Sequence, residues 1–259
     1  MPQIIRELFE KEFKEKFDLE EAIAVNSCTS ALIATLWSLD LEPGDEVITT
    51  PFTFAATTEA IIIAGGTPVF VDISENTSLI DSKLIEPAIT ERTKAILPVH
   101  LFGRVCDMVT IMEVANRHDL IVIEDAAQAM GHLLVGYGDA ACYSFYKTKH
   151  FSTFEGGMIG IRKGSKLNAQ RILEIANPTA NKREFAELGF NFRMPEPCAL
   201  IGYEQLKLHH GWKSEMGRYD ERDGFYPYVT YDLPFCKKRG ITGNCPIAEN
   251  LAKYISEAE

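Results

Sequence analysis

Four short stretches of this sequence carry side chains that could do chemistry. Phe145-Tyr146-Lys147-Thr148-Lys149-His150 offers two lysines in an aromatic setting. A lysine that loses solvent also loses proton affinity and becomes a nucleophile able to form a Schiff base. Glu124-Asp125-Ala126-Ala127-Gln128 follows an apolar run, where a carboxylate needs a cationic partner or donors and can hold a proton on a heterocyclic nitrogen. Asn26-Ser27-Cys28-Thr29-Ser30 places hydroxyls and free backbone N–H groups at the start of a helical run, an arrangement that suits a phosphate. Pro51-Phe52-Thr53-Phe54 supplies an aromatic that could stack on a flat ligand. Each stretch also has an ordinary reading: solvated lysines, a carboxylate capping the next helix, a Ser/Thr N-cap and core aromatics. Taken singly, the ordinary readings are the stronger ones.

What could unite them is position. Each follows a predicted strand. Short β-branched and apolar runs at 22–25, 47–50, 68–73, 95–99, 120–124, 140–145 and 158–162 read as strands. Helical patterns fall at 5–17, 31–39, 53–64, 84–89, 108–118 and 197–209. The first is amphipathic, with Ile5, Leu8, Phe9, Phe13 and Phe17 on one side. This alternation predicts an α/β protein with a mostly parallel sheet, made mixed by the hairpin-like last pair of strands. In open sheets of this kind ligands bind at the carboxyl ends of the strands, where these groups lie. Beyond the helix the rhythm is lost, with one short strand expected in 225–231 and a last helix at 248–255.

The 259 residues fit one large domain, expected over 1–210, with a smaller appendage over 211–259. Hydrophobic residues make up 46% and charged residues 24%, an ordinary globular balance. A formal net charge of −11 repels phosphate backbones, so nucleic acid is not an expected partner. No apolar run is long enough to span a bilayer, and the first 21 residues lack the features of a signal peptide, so no membrane partner is expected. The 6 cysteines form no CxxC pair, which argues against a zinc site or disulfide scaffold and for reduced thiols in a cytoplasmic protein. His100, His118, His132, His209 and His210 have no metal-ligand spacing and read as core or surface residues, whereas His150 stands beside Lys149 and is a candidate pocket residue.

Phosphate cradle, aromatic cover, strand-end carboxylate and loop lysine together make one site for pyridoxal phosphate, whose aldehyde needs a lysine and whose pyridinium nitrogen needs a carboxylate. The same stretches, with Pro98-Val99-His100-Leu101-Phe102-Gly103-Arg104, Glu155-Gly156-Gly157 and Gly189-Phe190-Asn191-Phe192-Arg193-Met194, resemble the DegT/DnrJ/EryC1/StrS sugar aminotransferases. The resemblance implies a fold-type I, aspartate aminotransferase-like enzyme, with a three-layer α/β/α large domain. By it, Lys149 aligns with the lysine that binds the cofactor and Asp125 with the partner of the ring nitrogen, the two expected catalytic residues. Gln128 aligns with a residue near the ring hydroxyl, and Phe54 with the aromatic that stacks on the ring. Cys28, Thr29 and Ser144 fall where the family binds the phosphate. Asn191 matches a residue that reaches the phosphate of the neighbouring subunit, which implies a homodimer with shared active sites. The implied reaction is transamination from an amino acid, with glutamate as the expected donor, to a nucleotide-linked keto sugar in polysaccharide biosynthesis.

The sequence also departs from the family pattern. Cys28 replaces a glycine in the phosphate loop, the tract from Gly131 to Gly138 is short, and Lys147 stands where a neutral residue is usual. Relatives carry more chain before Ile5 and a fuller C-terminal domain. A second reading is therefore a catalytically impaired descendant that binds pyridoxal phosphate or a sugar nucleotide, or acts as a regulatory partner.

Overall fold

A computed structural model describes residues 5–131, 135–149, 151–178, 188–208 and 228–229. Its strands are β1 (Leu19–Val25), β2 (Glu46–Thr49), β3 (Thr53–Phe54), β4 (Thr67–Phe70), β5 (Thr93–Leu97), β6 (Ile121–Asp125), β7 (Ala140–Ser144), β8 (Gly157–Arg162) and β9 (Tyr228–Val229). Seven of them form one sheet in the order β1-β8-β7-β6-β5-β2-β4. Within it only β8 runs against its neighbours, pairing antiparallel with both β1 and β7. The expected mixed, mostly parallel sheet is therefore present, and β1 joins it on the far side of the β7–β8 hairpin. β3 and β9 pair separately, Thr53 with Val229 and Phe54 with Tyr228.

Strand periodicity of two sends alternate side chains to opposite faces. In β5, Ala95 and Leu97 join one core while Ile96 joins another; in β7, Ala140 and Cys142 point opposite to Ala141 and Tyr143. The first face is covered by α2 (Cys28–Trp37), α3 (Ala55–Ile63) and α5 (Ala169–Ala176). The other is covered by α4 (Met108–Arg117) at one end and by α1 (Ile5–Lys16) and α6 (Glu196–Leu208) at the other. The result is the three-layer α/β/α architecture.

Local chemistry explains the helix starts. Ser27, Asp107 and Asn168 each accept a hydrogen bond from a first-turn N–H, of Ser30, Thr110 and Arg171 respectively. In α1, Phe9 and Phe13 sit one turn apart and are fully buried. Phe9 packs against Phe145 and Phe151, at centroid distances of 5.8 and 6.2 Å. Glu10, on the same helix, reaches the outer edge of β1, where its Oε1 accepts from the Ala24 N–H at 2.9 Å.

Several expectations need correction. The helix expected from Thr53 begins at Ala55, because Thr53 and Phe54 are extended and pair with β9. The helix expected at 84–89 is two 3-10 turns, Ser82–Leu84 and Glu86–Ala88; Pro87 has no N–H to continue a ladder. α5 has no counterpart among the expected elements. The helix expected at 248–255 and the boundary after residue 210 lie outside the described residues. Among the described residues no helix is long and apolar enough to cross a membrane.

Candidate active site

The carboxyl ends of β1, β2, β5, β6 and β7 converge on one cavity of about 420 Å³. That lies within the roughly 300–1,000 Å³ typical of small-molecule sites. Cys28, Thr29, Phe54, Asp125, Gln128, Ser144 and Lys149 all line it. Asn191 does not: it is exposed, and its carbonyl accepts from Asn26 Nδ2 at 3.5 Å. His150 lies outside the described residues.

Asp125 closes β6 and is only 5% exposed. Its Oδ2 accepts from Thr57 Oγ1 at 2.8 Å, and its Oδ1 from the Ala127 N–H at 3.1 Å. Burial raises its pKa above the ordinary carboxylate value, while these two donors and the Lys149 charge pull it back down. A buried carboxylate with two donors still has lone pairs to offer, and a cation facing it from the cavity would favour its ionised form. A pyridinium N–H fits that requirement.

Gln128 follows on the same strand end and is 8% exposed. Its Oε1 accepts from the Phe102 N–H at 2.7 Å, which leaves the amide nitrogen to donate. Beside these residues, but behind the cavity wall, Glu124 is wholly buried. It accepts from His100 Nε2 at 2.7 Å, from Gly138 N–H at 2.5 Å and from Gly136 N–H. The Cys106 N–H donates to His100 Nδ1 at 3.3 Å, so the ring is held as the Nε2–H tautomer. His100, expected to be a plain core or surface residue, is thus a core residue that also lines the cavity. Sequence reasoning missed Thr57 and the His100–Glu124 pair; the pair stands inside stretches already singled out, whereas Thr57 lies in α3 just beyond Phe54.

The phosphate end is built at the N-terminus of α2, where Cys28 and Thr29 begin the helix. First-turn N–H groups have no partner within a helix and favour an anion. The Cys28 thiol turns inward and donates to the Cys142 carbonyl at 3.4 Å. Burial, with the Asp125 charge nearby, pushes its pKa well above the usual thiol range, so it stays neutral. The side chain therefore leaves the helix terminus open. Gly157 makes room on the other side: a Cβ there would stand 2.6 Å from the Ser27 carbonyl carbon and 2.8 Å from the Cys28 nitrogen.

Lys149 sits in the loop between β7 and β8. That loop is laced across by Phe145 N–H to the Gly156 carbonyl and Lys147 N–H to the Phe154 carbonyl, at 2.9 and 3.0 Å. Phe145 and Phe151 anchor it from below, fully buried and edge-on at 4.9 Å. Lys147 does not line the cavity; its ammonium lies 5.8 Å from the centre of the Tyr146 ring. Phe54, 48% exposed, stands at the mouth.

A model of the DegT/DnrJ/EryC1/StrS aminotransferase family matches residues 5–216. The chain belongs to this family. Among its relatives, GDP-perosamine synthase of Caulobacter vibrioides is 42% identical over 205 residues, covering 77% of this chain and 55% of the relative. UDP-N-acetyl-3-dehydro-alpha-D-glucosamine 3-aminotransferase of Acidithiobacillus ferrooxidans is 48% identical over 182 residues, covering 68% of this chain and 49% of the relative. The chain thus spans about half the length of the curated family members it matches. The solved structure of NtdA from Bacillus subtilis with bound cofactor PMP superposes with a TM-score of 0.73 at 37% identity, covering 80% of this chain and 48% of that one. The fold is that of the family.

Proposed function

We propose that the chain acts as a pyridoxal phosphate-dependent aminotransferase, moving an amino group from an amino acid, with glutamate as donor, to a nucleotide-linked keto sugar. The observation that carries this reading is one cavity that combines a buried carboxylate, an oriented amide donor, a helix N-terminus and a lysine. The names of the two curated relatives, a sugar-nucleotide aminotransferase and a GDP-perosamine synthase, support the substrate class.

When bound, the cofactor supplies an aldehyde for amines and a ring that takes up the electron pair left by a broken C–H bond. The residues do the rest. The first-turn N–H groups at Cys28 and Thr29, with the Thr29 and Ser144 hydroxyls, bind the phosphate. Asp125 holds the proton on the ring nitrogen, with Thr57 and Ala127 keeping its carboxylate in place. Gln128 donates from Nε2 to the ring hydroxyl oxygen. Phe54 covers the ring and excludes water. Lys149 Nζ would hold the cofactor through its aldehyde, and as a free amine it would be the base that takes the proton from the substrate carbon. We further infer a homodimer in which Asn191 completes the partner's phosphate site, and a division into a large domain to residue 210 and a smaller C-terminal part.

Absorption spectroscopy tests the reading. Added pyridoxal phosphate should give a visible band that glutamate bleaches, and Lys149→Ala should give none. A band that survives in Lys149→Ala would move the attachment to another amine and overturn the assignment. A wild-type band unchanged by amino acids would favour a protein that binds the cofactor without turning it over.

A further inference from the structure

Phe102 adopts φ 57 and ψ 30, the left-handed region, which is uncommon for residues other than glycine and strained for a bulky one. Its surroundings hold it there. The side chain is buried among Val99, Leu101 and Met108 and meets the Phe52 ring edge-on at 6.3 Å. The consequence of this backbone conformation is at the cavity, where the Phe102 N–H donates to Gln128 Oε1 at 2.7 Å. A backbone N–H only donates, so the atom facing it is the amide oxygen, and the flip of the Gln128 side chain is settled. Gln128 Nε2 is turned the other way and has no hydrogen-bond partner among the described residues.

We propose that Phe102 is a positioning residue whose left-handed backbone locks the Gln128 amide, so that Nε2 presents a donor to the ring oxygen beside the aldehyde of pyridoxal phosphate. The inference rests on the cofactor reading above. A donor aimed at an ionised oxygen favours its charged form and lowers its pKa. An amide free to flip would at times present its oxygen instead, and the pKa of the bound chromophore would rise.

The test compares Phe102→Gly with Phe102→Val in the full chain loaded with pyridoxal phosphate. Both remove the ring and keep the N–H, but only glycine tolerates the left-handed backbone without strain. The readout is the pH midpoint of the visible band, with the thermal midpoint measured alongside; Gln128→Leu sets the full shift on losing the donor. Phe102→Val should raise the spectral midpoint by about one pH unit, a tenfold change in proton affinity. Phe102→Gly should stay near wild type, although both variants lose thermal stability. If the valine variant does not fold, Phe102→Ala should give the same ordering with a smaller shift. Equal midpoints in the glycine variant and its partner, or a Gln128→Leu midpoint at the wild-type value, would overturn the proposal. A wild-type protein that shows no visible band would instead overturn the cofactor reading and this inference with it.

Discussion

At the scale of single residues, Asp125 shows how a site tunes a carboxylate by opposing effects. Burial raises its pKa, and the hydrogen bond from Thr57 is what most opposes that rise. A hydrogen bond to a charged group is worth about 1.5–3 kcal/mol, equivalent to roughly one to two pH units. Thr57→Val removes that donor while keeping the shape, so the Asp125 pKa should rise further. Under the proposed function the ionised form is the working one, so the acid limb of the pH profile for a reaction with glutamate should move to higher pH. A limb that stays in place would show that Thr57 does not support Asp125. Asp125, Gln128, Lys149 and the Cys28-Thr29 turn were legible in the sequence because each is polar and follows a strand. Thr57 was not, because a threonine inside an apolar helix looks like any other; its partner lies 68 residues away. Phe102 was hidden for a related reason. Its contribution comes through a backbone angle and an N–H that every residue but proline possesses.

Among the elements, α1 does more than cover the sheet. It packs under the lysine loop through Phe9 and closes the edge of β1 through Glu10. Burial raises the Glu10 pKa from the ordinary 4.5 to about 7; the Ala24 N–H and the Arg6 charge pull it down, and Glu21 and Glu7 push it up. The folded state therefore binds a proton more tightly than the unfolded one. Glu10 favours folding at low pH, and that stability is lost as pH rises from about 4.5 through about 7. Glu10→Gln keeps an acceptor for the Ala24 N–H and has no charge to bury. Its advantage over wild type in urea unfolding should grow across that interval, reaching at most about 3 kcal/mol above it. An unchanged stability difference between acid and alkaline pH would rule this out. The elements that sequence patterns described well were long or strongly periodic. α5 was missed because Ile172, Ile175 and Ala176 are a short apolar signal. The place of β1 beside β8 was equally invisible, since strand order depends on pairing between distant segments and not on local propensity.

For the whole molecule, the exposed position of Asn191, away from its own cavity, is what a residue serving a second copy would require. Cofactor binding should therefore tighten as protein concentration drives pairing, and Asn191→Ala should weaken it without changing the mass of the assembly. Tight binding by a monomer in sedimentation would remove the shared-site part of the reading. The lysine, by contrast, is carried on a locally closed excursion of the chain. Its loop leaves the sheet at β7 and returns at β8, the two strands being hydrogen-bonded neighbours, so the excursion is closed by the hairpin itself. Opening the outer rung between Lys147 and Phe154 need break no bond of the sheet below. On the clock of amide hydrogen exchange the molecule should then divide in two. The Lys147 amide should exchange by local fluctuation, while those of Cys142 and Ile159 on the two strands should wait for unfolding of the domain. Such a division would let the lysine move aside for each incoming amine while the cradle for its phosphate stays still.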